Sequence, residues 1–120
     1  MYVADGSVVR EVRLPVPSPV PVVEALRARL LVSDIPGALA LIHPLQRSLF
    51  DQIYHDIEPD LPVDAAAMGA MRLDFVRGDR AIVEMDTTLS VDGAPLPMTV
   101  PVHLTRAEDG TWQIFDYRSS

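Results

Sequence analysis

Cysteine is missing from all 120 residues. That removes disulfides, thiolate metal sites and a cysteine nucleophile together, while leaving the redox compartment open. Basic residues are few, 10 Lys and Arg against 17 Asp and Glu, for a formal charge of −7. Such a chain has no general field for phosphate backbones or anionic lipid, so nucleic-acid binding is disfavoured. No apolar run approaches the roughly 18 residues of a membrane-spanning helix, so no membrane insertion is expected. The opening residues, MYVADGSVVREV, lack a basic stretch followed by an apolar core, and read as carrying no export signal.

What is present is led by residues 80–106, RAIVEMDTTLSVDGAPLPMTVPVHLTR, which read as one long β-hairpin. Asp92-Gly93 suits the two-residue type I′ turn that matches strand twist. Val91 then faces Ala94, and the pairing continues through Leu89 with Leu96, Thr87 with Met98, Met85 with Val100, Val83 with Val102 and Ala81 with Leu104. One face is almost wholly apolar. The other sets Ser90, Thr88, Asp86 and Glu84 against Pro95, Pro97, Thr99 and Pro101, with Ile82 against His103. A one-residue slip would mix the two faces, so the pattern specifies its own register.

Ahead of the hairpin, residues 1–14 read as an extended strand or the tail of a preceding domain. The alternating prolines of residues 15–21 hold polyproline II and make a stiff linker. A domain of residues 22–120 follows, long enough to bury about two thirds of its unfolded surface in one core. Its first helix, over 21–33, buries Val23, Leu26 and Leu30. Ser33-Asp34 caps a short second helix with Pro36 in its first turn and Ala38, Leu39 and Ile42 inward. The third, over 45–57, sets Leu49, Phe50, Ile53 and Ile57 at helical spacing and Arg47, Asp51 and His55 on the opposite face. Residues 60–70 read as a connector with a loose helical turn. From Met71 the period becomes alternating, with Met71, Leu73 and Phe75 on one face and an odd-length loop about Arg77-Gly78-Asp79. Glu108-Asp109-Gly110 suits a three-residue loop that sets Leu104 against Ile114 and Arg106 against Trp112.

These elements predict an α+β domain with N-terminal helices packed in the concave face of a curved, mainly antiparallel four-stranded sheet. The stretches LLVSDIPGALALIHPLQRSLFDQIY, GDRAIVEM and EDGTWQIFDY resemble the cystatin-like or nuclear transport factor 2-like superfamily of cone-shaped domains. The resemblance is to the accessory type found in bacterial secreted or surface proteins. It implies a secreted, periplasmic or cell-surface setting and a preceding domain ending near the linker.

Enzymes of that superfamily work inside the cone with Asp, His or Tyr side chains. Here the predicted inner sheet face carries no carboxylate or histidine, and general acid-base catalysis needs a titratable group within reach of substrate. No catalytic residue, cofactor or metal is expected. Asp51 and His55 make a solvated pair rather than a metal site, and the acidic run Asp56, Glu58, Asp60 and Asp64 lacks calcium-loop spacing. Arg77-Gly78-Asp79 is ordinary turn chemistry. If the cone holds a small apolar ligand, Tyr54, Met85 and Met98 are the candidate lining, methionine being adaptable filling. Outside the cone, Ile82, His103 and Phe115 form one row, with Pro101 and Tyr117 in the next. Such an apolar row marks contact with another surface, either a neighbouring segment or domain, or a homodimer partner. The sequence therefore predicts a non-catalytic accessory or interaction domain; the alternative is a small-molecule-binding or degenerate enzyme domain using the cone.

Overall fold

A computed structural model describes residues 17–117; the predicted first strand and the first part of the linker lie outside them. Four α-helices precede four strands. Helix α1 spans Val20–Leu31, α2 Ile35–Leu39, α3 Pro44–Asp56 and α4 Leu61–Ala66. Strand β1 spans Met71–Arg77, β2 Arg80–Val91, β3 Ala94–Arg106 and β4 Trp112–Tyr117. The strands form one antiparallel sheet in the order β1-β2-β3-β4.

Local chemistry sets the helix ends. Pro21 sits in the first turn of α1, where its missing N–H leaves nothing unpaired. Ser33 takes a left-handed φ of +55°, and the N–H groups of Ser33 and Asp34 return to the carbonyls of Leu30 and Arg29. Asp34 then caps α2 by accepting from the Gly37 N–H at 3.0 Å. His43 does the same for α3, its Nδ1 accepting from the Leu45 N–H at 3.1 Å. The predicted connector is more ordered than expected, holding a 3-10 turn at Glu58–Asp60 and then α4. Arg27 of α1 ties that helix down by donating from Nε to the Met68 carbonyl at 2.9 Å.

The core is continuous between the helices and one face of the sheet. Val23, Leu26 and Leu30 of α1, Ile35, Ala38 and Ile42, Phe50 and Tyr54 of α3, and Leu61 and Ala65 of α4 are all buried. They meet Ala81, Val83, Met85, Val102, Leu104, Trp112 and Ile114. In α3 one predicted inward residue is displaced: Leu49 is 38 % exposed, while Phe50 and Tyr54 carry the buried stripe.

The central hairpin has the predicted register throughout, from Val91 opposite Ala94 to Ala81 opposite Leu104. Its turn has positive φ at both Asp92 and Gly93, as a type I′ turn requires. The outer strands depart from plain alternation. A bulge at Asp74 breaks β1, so Leu73 faces Val83 but Phe75 faces Ile82. Phe75 is thereby turned to the outer face, against the predicted inner placement, and Val76 replaces it opposite Ala81. The odd-length loop is not needed, because the bulge supplies the extra residue and Gly78-Asp79 makes a two-residue turn. A second bulge lies at Phe115, between the pairs His103–Asp116 and Leu104–Ile114.

Candidate functional site

The two bulges decide which side chains meet on each face. Past Asp74, Phe75 joins the row of Ile82 and His103; past Ile114, Phe115 stays on the same side. Phe75, Ile82, His103 and Phe115, flanked by Arg80 and Asp116, line an open groove of about 510 Å³ on the sheet face turned away from the helices. The His43 ring packs edge-on against Phe115 with centroids 5.4 Å apart. It is held there because the link between α2 and α3 pairs with the outer edge of β4, His43 N–H donating to the Ile114 carbonyl at 2.8 Å.

Beside this apolar half, the same face is polar. Arg72 donates to both carboxylate oxygens of Asp86, at 2.9 and 3.0 Å, and Thr99 donates to Asp86 at 3.1 Å. The hydrogen bond from Arg72, then that from Thr99, holds the Asp86 carboxyl below the usual carboxylate range. Pro101 is exposed in this half, opposite Glu84.

Of the five predicted outer-face residues, Ile82, His103 and Phe115 are brought together, and Pro101 lies along the same face. Tyr117 is corrected. Its partner is Val102 rather than a residue of the outer row, because the bulge at Phe115 shifts the strand by one. Phe75, inside by plain alternation, joins the outer row only through the bulge at Asp74, and a bulge has no strong signal in a strand of alternating type.

Inside, Tyr117 meets Tyr54. Their hydroxyls are 2.7 Å apart, and Tyr117 stacks on Phe50 with ring centroids at 5.3 Å and planes 12° apart. Burial drives the Tyr54 hydroxyl far above the ordinary tyrosine range, and burial pushes Tyr117 up to about 12. Both phenols stay protonated near neutrality, so the pair can donate and accept hydrogen bonds but supplies no general base. The pair lines an apolar cavity of about 160 Å³ with Phe50, Leu61, Met68 and Asp64. Burial, and secondarily Asp60, raises the Asp64 carboxyl.

The predicted ligand trio is not brought together. Tyr54 lines this cavity, Met85 is buried in the core, and Met98 borders a separate groove with Gly69, Asp86 and Thr88. Among the described residues no cluster of three or more His, Asp or Glu side chains could hold a metal. Asp51 and His55 form an exposed pair at 3.0 Å. Arg47 leaves that ladder, donating instead to the Ile42 carbonyl at 2.9 Å.

No family model matches the chain, and no curated protein matches it. Among solved structures, it is similar to the solution structure of a SEC-C motif containing protein from Rhodopseudomonas palustris. The TM-score is 0.59 at 18 % identity, over 86 % of this chain and 79 % of that one. At that identity the likeness is one of fold.

Proposed function

We propose that this chain is a non-catalytic interaction domain, of the cystatin-like or nuclear transport factor 2-like type, that packs the outer face of its sheet against another protein surface. That surface is a neighbouring domain or a second copy, in a bacterial exported protein. The observation carrying the reading is the groove of about 510 Å³ in which Phe75, Ile82 and Phe115 stand beside His103, Arg80 and Asp116. A concave apolar centre with a charged rim is the anatomy of a protein contact. The resemblance of residues 22–117 to the accessory type of that superfamily supports the setting.

Sedimentation velocity and thermal unfolding of the wild type beside Phe115→Asp test it. A carboxylate at the groove centre removes association through the outer face, or, where a neighbouring domain packs there, the stabilisation that domain gives. If the two proteins sediment identically at high micromolar concentration, and a longer chain carrying its neighbour gains nothing from Phe115, the reading fails.

The Tyr54–Tyr117 cavity favours a second reading, the binding of one small apolar ring bearing a single polar group. Apolar cavities of about 150 Å³ bind benzene, and this one adds paired hydroxyls at its wall. Phenol would then raise the melting temperature more in the wild type than in Tyr117→Phe. Equal melting curves with and without millimolar phenol would remove this reading.

A further inference from the structure

Strands β2 and β3 run on beyond their neighbours. On one side the last backbone pairing is that of Asp86, whose C=O accepts from Gly69 N–H at 2.6 Å and whose N–H donates to Ala70 at 2.9 Å. On the other, β4 ends opposite Val102. Residues 87–98 are thus an arm of two strands, and an isolated two-stranded hairpin is marginal in water. Its inner face is apolar and has no cover among the described residues, with Leu89 38 %, Val91 46 % and Leu96 49 % exposed.

The two edges of the arm differ. Asp86 directs both backbone groups away from β3, so by strand alternation Thr88 and Ser90 do the same, each offering a donor and an acceptor at the β2 edge. The β3 edge presents the partners of Thr88, Ser90 and Glu84, which are Pro97, Pro95 and Pro101. Proline has no N–H to give, so this edge disfavours strand addition, while the β2 edge beyond Asp86 is unpaired among the described residues. The open edge is also neutral. Between residues 87 and 98 the only charged side chain is Asp92, in a chain of net charge −7.

We propose that the β2 edge of the arm is a strand-addition site whose occupant is the same edge of a second copy. An antiparallel pair about a two-fold axis is self-complementary. With Leu89 opposite its own counterpart, Thr88 and Ser90 exchange backbone hydrogen bonds with Ser90 and Thr88 of the second copy, four in all. The exposed apolar strips then join on one side of a four-stranded arm. A second copy suits this edge better than a charged partner does, because the arm is where two acidic chains can meet without facing like charges. The joined segment stops short of Asp86, whose outward backbone groups Gly69 and Ala70 already hold. The contact is separate from the outer-face groove and does not rest on that reading.

The absence of cysteine gives a clean test. Directly opposed residues of a non-hydrogen-bonded antiparallel pair have Cα atoms about 4.5 Å apart, within disulfide range. Leu89→Cys should therefore form a disulfide-linked dimer on mild oxidation. Within a complex the thiols meet at an effective concentration of about a millimolar or more, so at tens of micromolar protein the yield should exceed that of Ala66→Cys by about tenfold. Adding Thr88→Pro, which removes an outward N–H and leaves the β2–β3 ladder intact, should abolish the excess. Ser90→Pro serves where Thr88→Pro lowers the melting temperature. Adding Phe115→Asp should leave the excess unchanged. Equal yields from Leu89→Cys and Ala66→Cys, an excess that survives a well-folded proline variant, or an excess lost with Phe115→Asp would each overturn the proposal.

Discussion

The Tyr54–Tyr117 pair offers the sharpest check on how the last strand is set. In a mutual hydroxyl bond of 2.7 Å one oxygen donates and the other accepts, so removing either leaves its partner buried with a lost bond. That costs about 1–3 kcal/mol, whereas replacing both hydroxyls by apolar groups of the same shape is close to neutral. Tyr117→Phe strands the Tyr54 hydroxyl, whose residue is 2 % exposed, and Tyr54→Phe strands that of Tyr117, which burial also shields, so each single change belongs within that range. The double variant should cost less than the two together, with a coupling of about 1 kcal/mol in a double-mutant cycle. Urea unfolding followed by the fluorescence of Trp112, the chain's single tryptophan, reads all four proteins, with equal denaturant slopes as the check that only stability has changed. Were Tyr117 on the outer face, as plain alternation requires, Tyr117→Phe would fall within about 0.5 kcal/mol of zero and would add to Tyr54→Phe without coupling, because surface substitutions are worth little and sites out of contact are independent. That result would refute the bulge at Phe115 as the device that turns Tyr117 inward.

The same pair predicts an alkaline limit: an unfolded tyrosine ionises near 10 and folded Tyr117 near 12, so above pH 10 the unfolded chain releases protons that the folded one keeps. The stability Tyr117 contributes is whole below pH 10 and lost as pH rises towards 12, and melting temperatures should fall there more steeply than in the Tyr54→Phe/Tyr117→Phe protein. Gly37→Ala should destabilise by about 1–2 kcal/mol although alanine is the better helix former, because a Cβ there runs into the Asp34 carboxylate that caps α2; chemical denaturation measures it, and a gain in stability would contradict it. Phe50→Ala should cost about 3–5 kcal/mol and Leu49→Ala under about 1, as the first empties a buried site against both tyrosines and the second trims an exposed one; equal costs would mean that α3 is rotated from its described position.

The inward stripe of α1, the Asp34 cap and the third helix followed from spacing and end chemistry, with Leu49 alone misplaced among the buried residues of α3. Residues 60–70 show only a loose helical turn in sequence, because Leu61 and Ala65 alone make a weak helical pattern; α4 gains its order from packing on α1 and from the Arg27 bond to Met68. The candidate groove was half legible. Ile82 and His103 followed from the hairpin, but Phe75 arrived through a bulge, and Tyr117 left through another.

The sequence alone determined the long hairpin, its turn and every pair from residue 81 to residue 104. A two-residue Asp-Gly turn admits one register, and eleven residues of matched alternation on each side admit no slip. Tertiary structure decided where alternation breaks. A bulge alters local backbone only slightly, so its place is chosen by what the shifted side chains meet. At Phe115 the shift carries Tyr117 onto Phe50 and Tyr54; at Asp74 it carries Phe75 beside Ile82. Those contacts join residues up to 67 positions apart, and no local pattern encodes them.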